Sequence, residues 1–443
     1  MQPLPHLFLL LTGFFLPTIL ALPARVNRNE GDINLSAGMT QWLYQGDIAM
    51  VSRSKSKRAV IRQKHKKWKL PMPYSFDRNF PRRSRQRVLE AMRFWTEKTC
   101  VTFQENAFVY PHVRIFEGNG CWSFVGKQAS LREQSLSLEP SCTDHVFVIA
   151  HEIAHTLGFF HEHARVDRDN FISIDYSNVN PNLTFAFAKV PTHQIPTELF
   201  IFQETEKQLD QLNAPYEYGS VMHYSIDQFA VNSNRPVIYA RDKKYAQAMG
   251  NRMRATFQDV SRMNDLYNCH DRCANTVNRC QHGGYPAPND CSQCVCPDGF
   301  GGQFCDSFEA PSIGQRGNSD CGGELWATDR TQTFYGAVRT RVHSNALLAS
   351  PEHCFWHIKT SRGKSIEIRV KNIISPCSMA CSFNALELKL SNFTMTGPRF
   401  CCDEHIYTGN SKPKVFHSEG PLAVIGAFAR YDYLDFHIEY RAV

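Results

Sequence analysis

Residues 151–161 read H-E-I-A-H-T-L-G-F-F-H, and no other stretch of the chain restricts the local fold as tightly. On an α-helix the spacing of four sets His151 and His155 one turn apart on the same face, as two ligands of one tetrahedral ion require. Glu152, beside the first ligand, turns its carboxylate to the open side of the ion, where it can take a proton from bound water. Gly158 suits a helix end, because glycine tolerates the left-handed conformation that stops a helix, and a chain turning there brings His161 round as a third ligand. Three protein ligands leave a fourth position for water, which is the catalytic arrangement and not the closed structural one. The bland alternative is a surface helix rich in histidine. With 18 His and 25 Gly in 443 residues, chance produces the full pattern in only about 1 in 10,000 such chains.

Downstream lies Ser220-Val221-Met222-His223-Tyr224, where a methionine can form the hydrophobic floor under a three-histidine site. Together these runs resemble the astacin family of metzincin peptidases. His151 to Asp169 follows that family's extended signature, including Glu162 after the third His and the run Arg165-Val166-Asp167-Arg168-Asp169. Ser220 to Tyr224 fits its Met-turn. The resemblance implies one Zn2+ per catalytic domain on His151, His155 and His161, with Glu152 as general base. It also implies that Tyr224 is a displaceable fourth protein ligand whose hydroxyl swings away to stabilise the oxyanion. The expected activity is zinc-dependent hydrolysis of internal peptide bonds in extracellular or matrix proteins.

Sixteen cysteines are too many for a reduced cytosolic enzyme and place the chain in an oxidising, extracellular setting. Leu7 to Leu20 is an apolar run broken by Thr, Gly and Pro, and Ala21 offers a small residue for signal peptidase. Residues 1–21 are read as a removed signal peptide, and no stretch is long and apolar enough for a transmembrane segment. Asn34, Asn182 and Asn392 head N-glycosylation sequons. The net charge of +7 is concentrated from Arg53 to Lys69, where nine basic side chains run without an acidic one. Secretion argues against a nucleic-acid partner. Lys57-Arg58 reads instead as a cut site for a processing protease in an exposed segment.

Residues 22–58 resemble a short propeptide, in which Tyr44-Gln45-Gly46-Asp47 is similar to the F-x-G-D motif that places an aspartate on the zinc. Tyr44 departs from the family's Phe. A carboxylate is a good zinc ligand and can replace the catalytic water, so Asp47 is expected to silence the zymogen. Cleavage between Arg58 and Ala59 frees an ammonium that the resemblance turns inward toward Glu162, and a buried carboxylate needs such a partner.

The expected fold is multidomain. Residues 59–271 form an α+β metzincin catalytic domain with zinc helix and Met-turn. Within it Met72 to Phe76 reads as a strand, and Ser84 to Thr99 as a helix with the stripe Val88, Ala91, Met92 and Trp95. Ser135 to Leu138 reads as an edge strand leading to the zinc helix, with free backbone groups for an extended peptide. The family's disulfides map onto Cys100 with Cys269 and Cys121 with Cys142. Residues 272–306 carry six cysteines in a segment too short for a large core and resemble a disulfide-rich EGF-like module. That implies Cys273 with Cys291, Cys280 with Cys294 and Cys296 with Cys305; a zinc ribbon is the alternative for its C-x-x-C, disfavoured by compartment. After a linker at 307–320, residues 321–443 resemble a CUB domain, an all-β sandwich with Cys321 and Cys354 among its disulfides. Cys377, Cys381, Cys401 and Cys402 exceed the usual pattern by one pair. Asn384 stands where many such modules carry a calcium-binding Asp. Both C-terminal modules are expected to take protein or matrix ligands, and the arrangement resembles nematode astacins.

Overall fold

The structure is a computed structural model describing residues 40–52, 67–128, 130–189, 214–250, 252–312, 314, 321–340, 347–406 and 413–443. The apolar run near the N-terminus, Asn34, the Lys57-Arg58 site and Ala59 lie outside the described residues.

The stripe of Val88, Ala91, Met92 and Trp95 is wholly buried on the helix Arg82–Lys98. Trp95 donates its indole N–H to the Ala150 carbonyl at 3.1 Å, pinning this helix to a second one, Val146–Leu157. Both pack on one face of a seven-stranded sheet: β1 (Thr40–Tyr44), β2 (Ile48–Ser52), β3 (Met72–Phe76), β4 (Phe103–Glu105), β5 (His112–Phe116), β6 (Cys121–Phe124) and β7 (Glu133–Leu138), in the order β1-β2-β6-β7-β5-β3-β4. Val113, Ile115, Leu136 and Leu138 meet Ile149, Ile153 and Leu157 in one apolar cluster, which removes both elements from water and fixes the helix against the sheet.

That order corrects the expectation for Ser135–Leu138. β7 is an interior strand, parallel to β5 and antiparallel to β6, so its backbone groups are already paired. The outer strand of the catalytic sheet proper is β6, and its free side is covered by β2 in parallel, Ile48 opposite Ser123 and Ala49 opposite Phe124. Alternating side chains marked β7 as a strand, but alternation carries no information about which neighbours flank it.

Cys100 is bonded to Cys269, just after the helix Phe257–Leu266, and Cys121 to Cys142. Residues 273–308 follow as two small two-stranded ladders, the second pairing Phe300–Gly301 with Ser307–Phe308, held by Cys273–Cys291, Cys280–Cys294 and Cys296–Cys305. With every one of these sulfurs in a disulfide, none is left for a zinc ribbon. The remaining chain forms a sandwich of a five-stranded and a four-stranded sheet. Strand Tyr433–Ala442 shows the pattern: Leu434, Phe436, Ile438, Tyr440 and Ala442 face inward and the residues between face out. Cys321–Cys354, Cys377–Cys402 and Cys381–Cys401 close it. Asn384 is buried and its amide is fully engaged: Nδ2 donates to the Tyr431 and Tyr433 carbonyls and the Ser375 hydroxyl, and Oδ1 accepts from the Arg430 and Tyr431 N–H groups. No helix among the described residues is long and apolar enough to cross a membrane.

The three units are packed together. Met253, Phe300, Phe355, Val424 and Phe428, drawn from all three, share one buried cluster. Beside it the Arg254 guanidinium bridges Asp298 at 3.2 Å and Glu309 at 3.0 Å.

Candidate metal centre

The helix Val146–Leu157 is buried along its length, and Gly158 ends it at φ 124° with its N–H donating to the Ala154 and His155 carbonyls. A side chain at that φ would be strained, so glycine is what lets the chain turn and return His161 to the helix face. His151, His155 and His161 are 0–1% exposed, with ring centroids 4.5 to 5.4 Å apart.

Each ring has its Nδ1 engaged by an acceptor at 2.8 Å: the Val221 carbonyl for His151, the Phe159 carbonyl for His155 and the Gln45 amide oxygen for His161. Those bonds put the protons on Nδ1 and leave three Nε2 lone pairs, which converge. His151 and His155 bring their Nε2 atoms to 3.0 Å, and an Asp47 oxygen lies 3.1 Å from Nε2 of both His151 and His161. Its other oxygen is 3.7 Å from His155 Nε2. Lone pairs and a carboxylate so arranged repel one another unless a cation sits among them, and three imidazoles with one carboxylate suit Zn2+.

Glu152 follows the first ligand, 1% exposed, and its Oε2 has no hydrogen-bond partner among the described residues. Burial, helped by the Asp47 charge, pushes its carboxyl well above the usual range. Met222 is buried beneath, in the cluster that contains Ala150 and Ala154. Tyr224 stacks on His163 at 3.7 Å and lies 4.7 Å from the His161 ring, while its hydroxyl donates to the Gln45 carbonyl. Asn182 and Asn392 are exposed on the surface.

Glu162 has partners that the sequence did not announce. Arg262 donates to it from both terminal nitrogens, Arg165 adds a third bond, and the Glu217 N–H a fourth. Gln45 was also missed, since it occupies the unspecified position of its motif. Fully buried, it binds His161 with its oxygen and the Ala188 carbonyl with its nitrogen, at 2.8 and 2.9 Å. Asp259 is the third, holding Ser220 Oγ at 2.5 Å and the Val221 N–H at 2.8 Å. No short-range pattern could have found these contacts, which reach across 38 positions from Asp259 to Val221, 116 from Gln45 to His161 and 100 from Arg262 to Glu162.

Residues 60–268 match the family model described as Astacin, a peptidase family. Zinc metalloproteinase nas-27 of Caenorhabditis elegans is 77% identical over 447 residues, spanning 100% of this chain and 100% of that protein. The chain belongs to the astacin family. It is a zinc metalloendopeptidase, a hydrolase with zinc as its cofactor. Zinc metalloproteinase nas-28 of the same organism is 33% identical over 94% of this chain and 82% of its own length. Among solved structures, high choriolytic enzyme 1 of Oryzias latipes, a hatching enzyme zinc-protease, is 29% identical over 44% of this chain and 88% of that one, with a TM-score of 0.38. No helix spans a membrane among the described residues, and eight disulfides fit an extracellular protein.

Proposed function

We propose that this astacin is a secreted endopeptidase made as a zymogen, with residues 22–58 as propeptide, 59–271 as peptidase, 272–306 as an EGF-like module and 321–443 as a CUB domain. The observation that carries the zymogen reading is the Asp47 carboxylate lying between the Nε2 atoms of His151, His155 and His161. His151, His155 and His161 would hold the zinc, with Asp47 on the position that water needs. When bound, zinc polarises the scissile carbonyl and acidifies its water.

The protein's own groups do the rest. Glu152, buried with one oxygen unpartnered and a raised pKa, takes a proton from water and passes it to the leaving amine. Tyr224 is tied to the Gln45 carbonyl in this latent arrangement; departure of residues 40–52 frees its hydroxyl to donate to the developing oxyanion. The same departure uncovers β6, whose backbone groups can then pair with an extended peptide. Substrates are extracellular proteins. A processing protease would cut after Arg58, and Asn34, Asn182 and Asn392 would carry glycans.

Full-length protein tested on a peptide library before and after cleavage at Arg58 decides this. Latency before the cut and zinc-dependent turnover after it are expected. Full turnover by uncut protein with Asp47 in place would overturn the zymogen reading.

A further inference from the structure

The segment carrying Met222 and Tyr224 is held from behind by the C-terminal sandwich. Glu217, at its start, is 1% exposed. Its carboxylate accepts the Gly219 N–H at 2.9 Å and, across the boundary between modules, the Thr396 N–H at 3.1 Å. The approach is so close that a Cβ on Gly219 would collide with the Thr396 side chain. On its other side Glu217 donates its own N–H to Glu162 at 2.8 Å, one residue past His161.

Further bonds run the same way. Asp259 fixes Ser220 and Val221, and its neighbour Gln258 donates to the Thr394 carbonyl and hydroxyl at 3.3 and 3.1 Å. The histidine helix is anchored to the same module, since Val146, whose N–H has no partner inside the helix, donates to the Ala349 carbonyl at 2.9 Å. Both segments that build the metal centre therefore rest on the sandwich. Glu217 is also an expensive residue to keep. Burial pushes its carboxyl up to about 7 against the pull of the Gly219 and Thr396 donors, and no cation among the described residues bonds to it.

We propose that Glu217 is a positioning residue, through which the Thr396 N–H of the sandwich loop sets the Met222–Tyr224 segment in place for the reaction. The C-terminal sandwich is then a working part of the peptidase as well as a module for ligands. Without Thr396, the Glu217 carboxylate keeps a single donor, the Gly219 backbone N–H, and turns toward water. The Gly219–Tyr224 backbone moves with it, and a shift of about 1 Å in a reacting group is enough to cost about 100-fold in rate. This rests on the reading of Tyr224 as oxyanion donor.

The test uses full-length activated protein and a double-mutant cycle. Glu217→Ala is expected to lower kcat by at least about tenfold with KM changed less than about twofold, zinc remaining stoichiometric. Glu217→Gln, which keeps one acceptor, should recover most of that loss. In a Tyr224→Phe background, Glu217→Ala should cost little more, because both act on one group. If Glu217→Ala does not fold, Thr396→Pro removes the same N–H and should lower kcat more than Thr396→Ala, which keeps it. Unchanged kcat in Glu217→Ala, equal losses in the two Thr396 variants, or a full additional loss beside Tyr224→Phe would overturn the proposal. Wild-type turnover in Tyr224→Phe alone would instead overturn the reading of Tyr224, and with it this route.

Discussion

Arg262 grips the Glu162 carboxylate with both terminal nitrogens, at 2.5 and 3.1 Å, inside the protein. Burial opposes that carboxylate's charge, and Arg262 and Arg165 beside it overcome the opposition and hold it below its usual range. The site to which an Ala59 ammonium is expected to fold is thus already neutralised while residues 40–52 are in place. Arg262→Met is expected to leave Glu162 underpaired and to destabilise the uncut protein by about 3 kcal/mol. If the new N-terminus does reach Glu162, the same variant will lose less stability after cleavage at Arg58. Denaturant unfolding of both forms checks this; an equal loss in the two argues that Ala59 stays away.

Glu152→Gln is expected to keep stoichiometric zinc and lose about 100-fold or more in turnover, because an amide cannot act as base while the three imidazoles are untouched. Metal analysis beside peptide hydrolysis separates ligand loss from base loss. Wild-type turnover with full zinc would remove Glu152 from the mechanism.

Asp47→Ala should make the uncut precursor partly active or prone to cutting itself, while Arg58→Ala should leave it secreted and silent. The carboxylate contacts both follow from are those of Asp47 with the three Nε2 atoms. Asp32, outside the described residues, is the control. A silent Asp47→Ala precursor beside an active Asp32→Ala one would move the switch to the other aspartate.

What the sequence revealed and what it hid divides by range. His151 to His161 was readable because one helical turn and one glycine fix where the ligands go. The stripe on Arg82–Lys98 was readable for the same reason, since 3.6-residue periodicity is local. Strand order is not local, which is why Ser135–Leu138 passed for an edge when Cys121–Phe124 lies outside it. Arg262 meets Glu162 across 100 positions, Gln45 meets His161 across 116, and Thr396 meets Glu217 across 179. Such pairs leave no periodic trace in a single chain, because each depends on packing that brings distant elements together.

The junction of Arg254, Asp298 and Glu309 makes the last prediction, on how the modules stay docked. Burial would raise the Glu309 carboxyl, but Arg254 and His353 beside it bring it down to about 2, against a usual 4.5. A carboxyl with a depressed pKa in the folded state stabilises that state above its unfolded pKa, and the contribution disappears as pH falls through the folded value. Docking should therefore be constant from pH 5 to 8 in this respect and weaken between about 4.5 and about 2. Lys98 also faces Glu309, Asp298 shares the Arg254 guanidinium, Glu352 acts on His353, and burial lowers the pKa of His353. Arg254→Met removes the cation and strands two partly buried carboxylates, at a cost of about 3 kcal/mol. Limited proteolysis in residues 307–320 at pH 7 reads the outcome: the variant should be cut faster than wild type, and acid should bring wild type toward the variant. Equal resistance in both proteins would mean that the apolar cluster of Met253, Phe300, Phe355, Val424 and Phe428 holds the modules by itself.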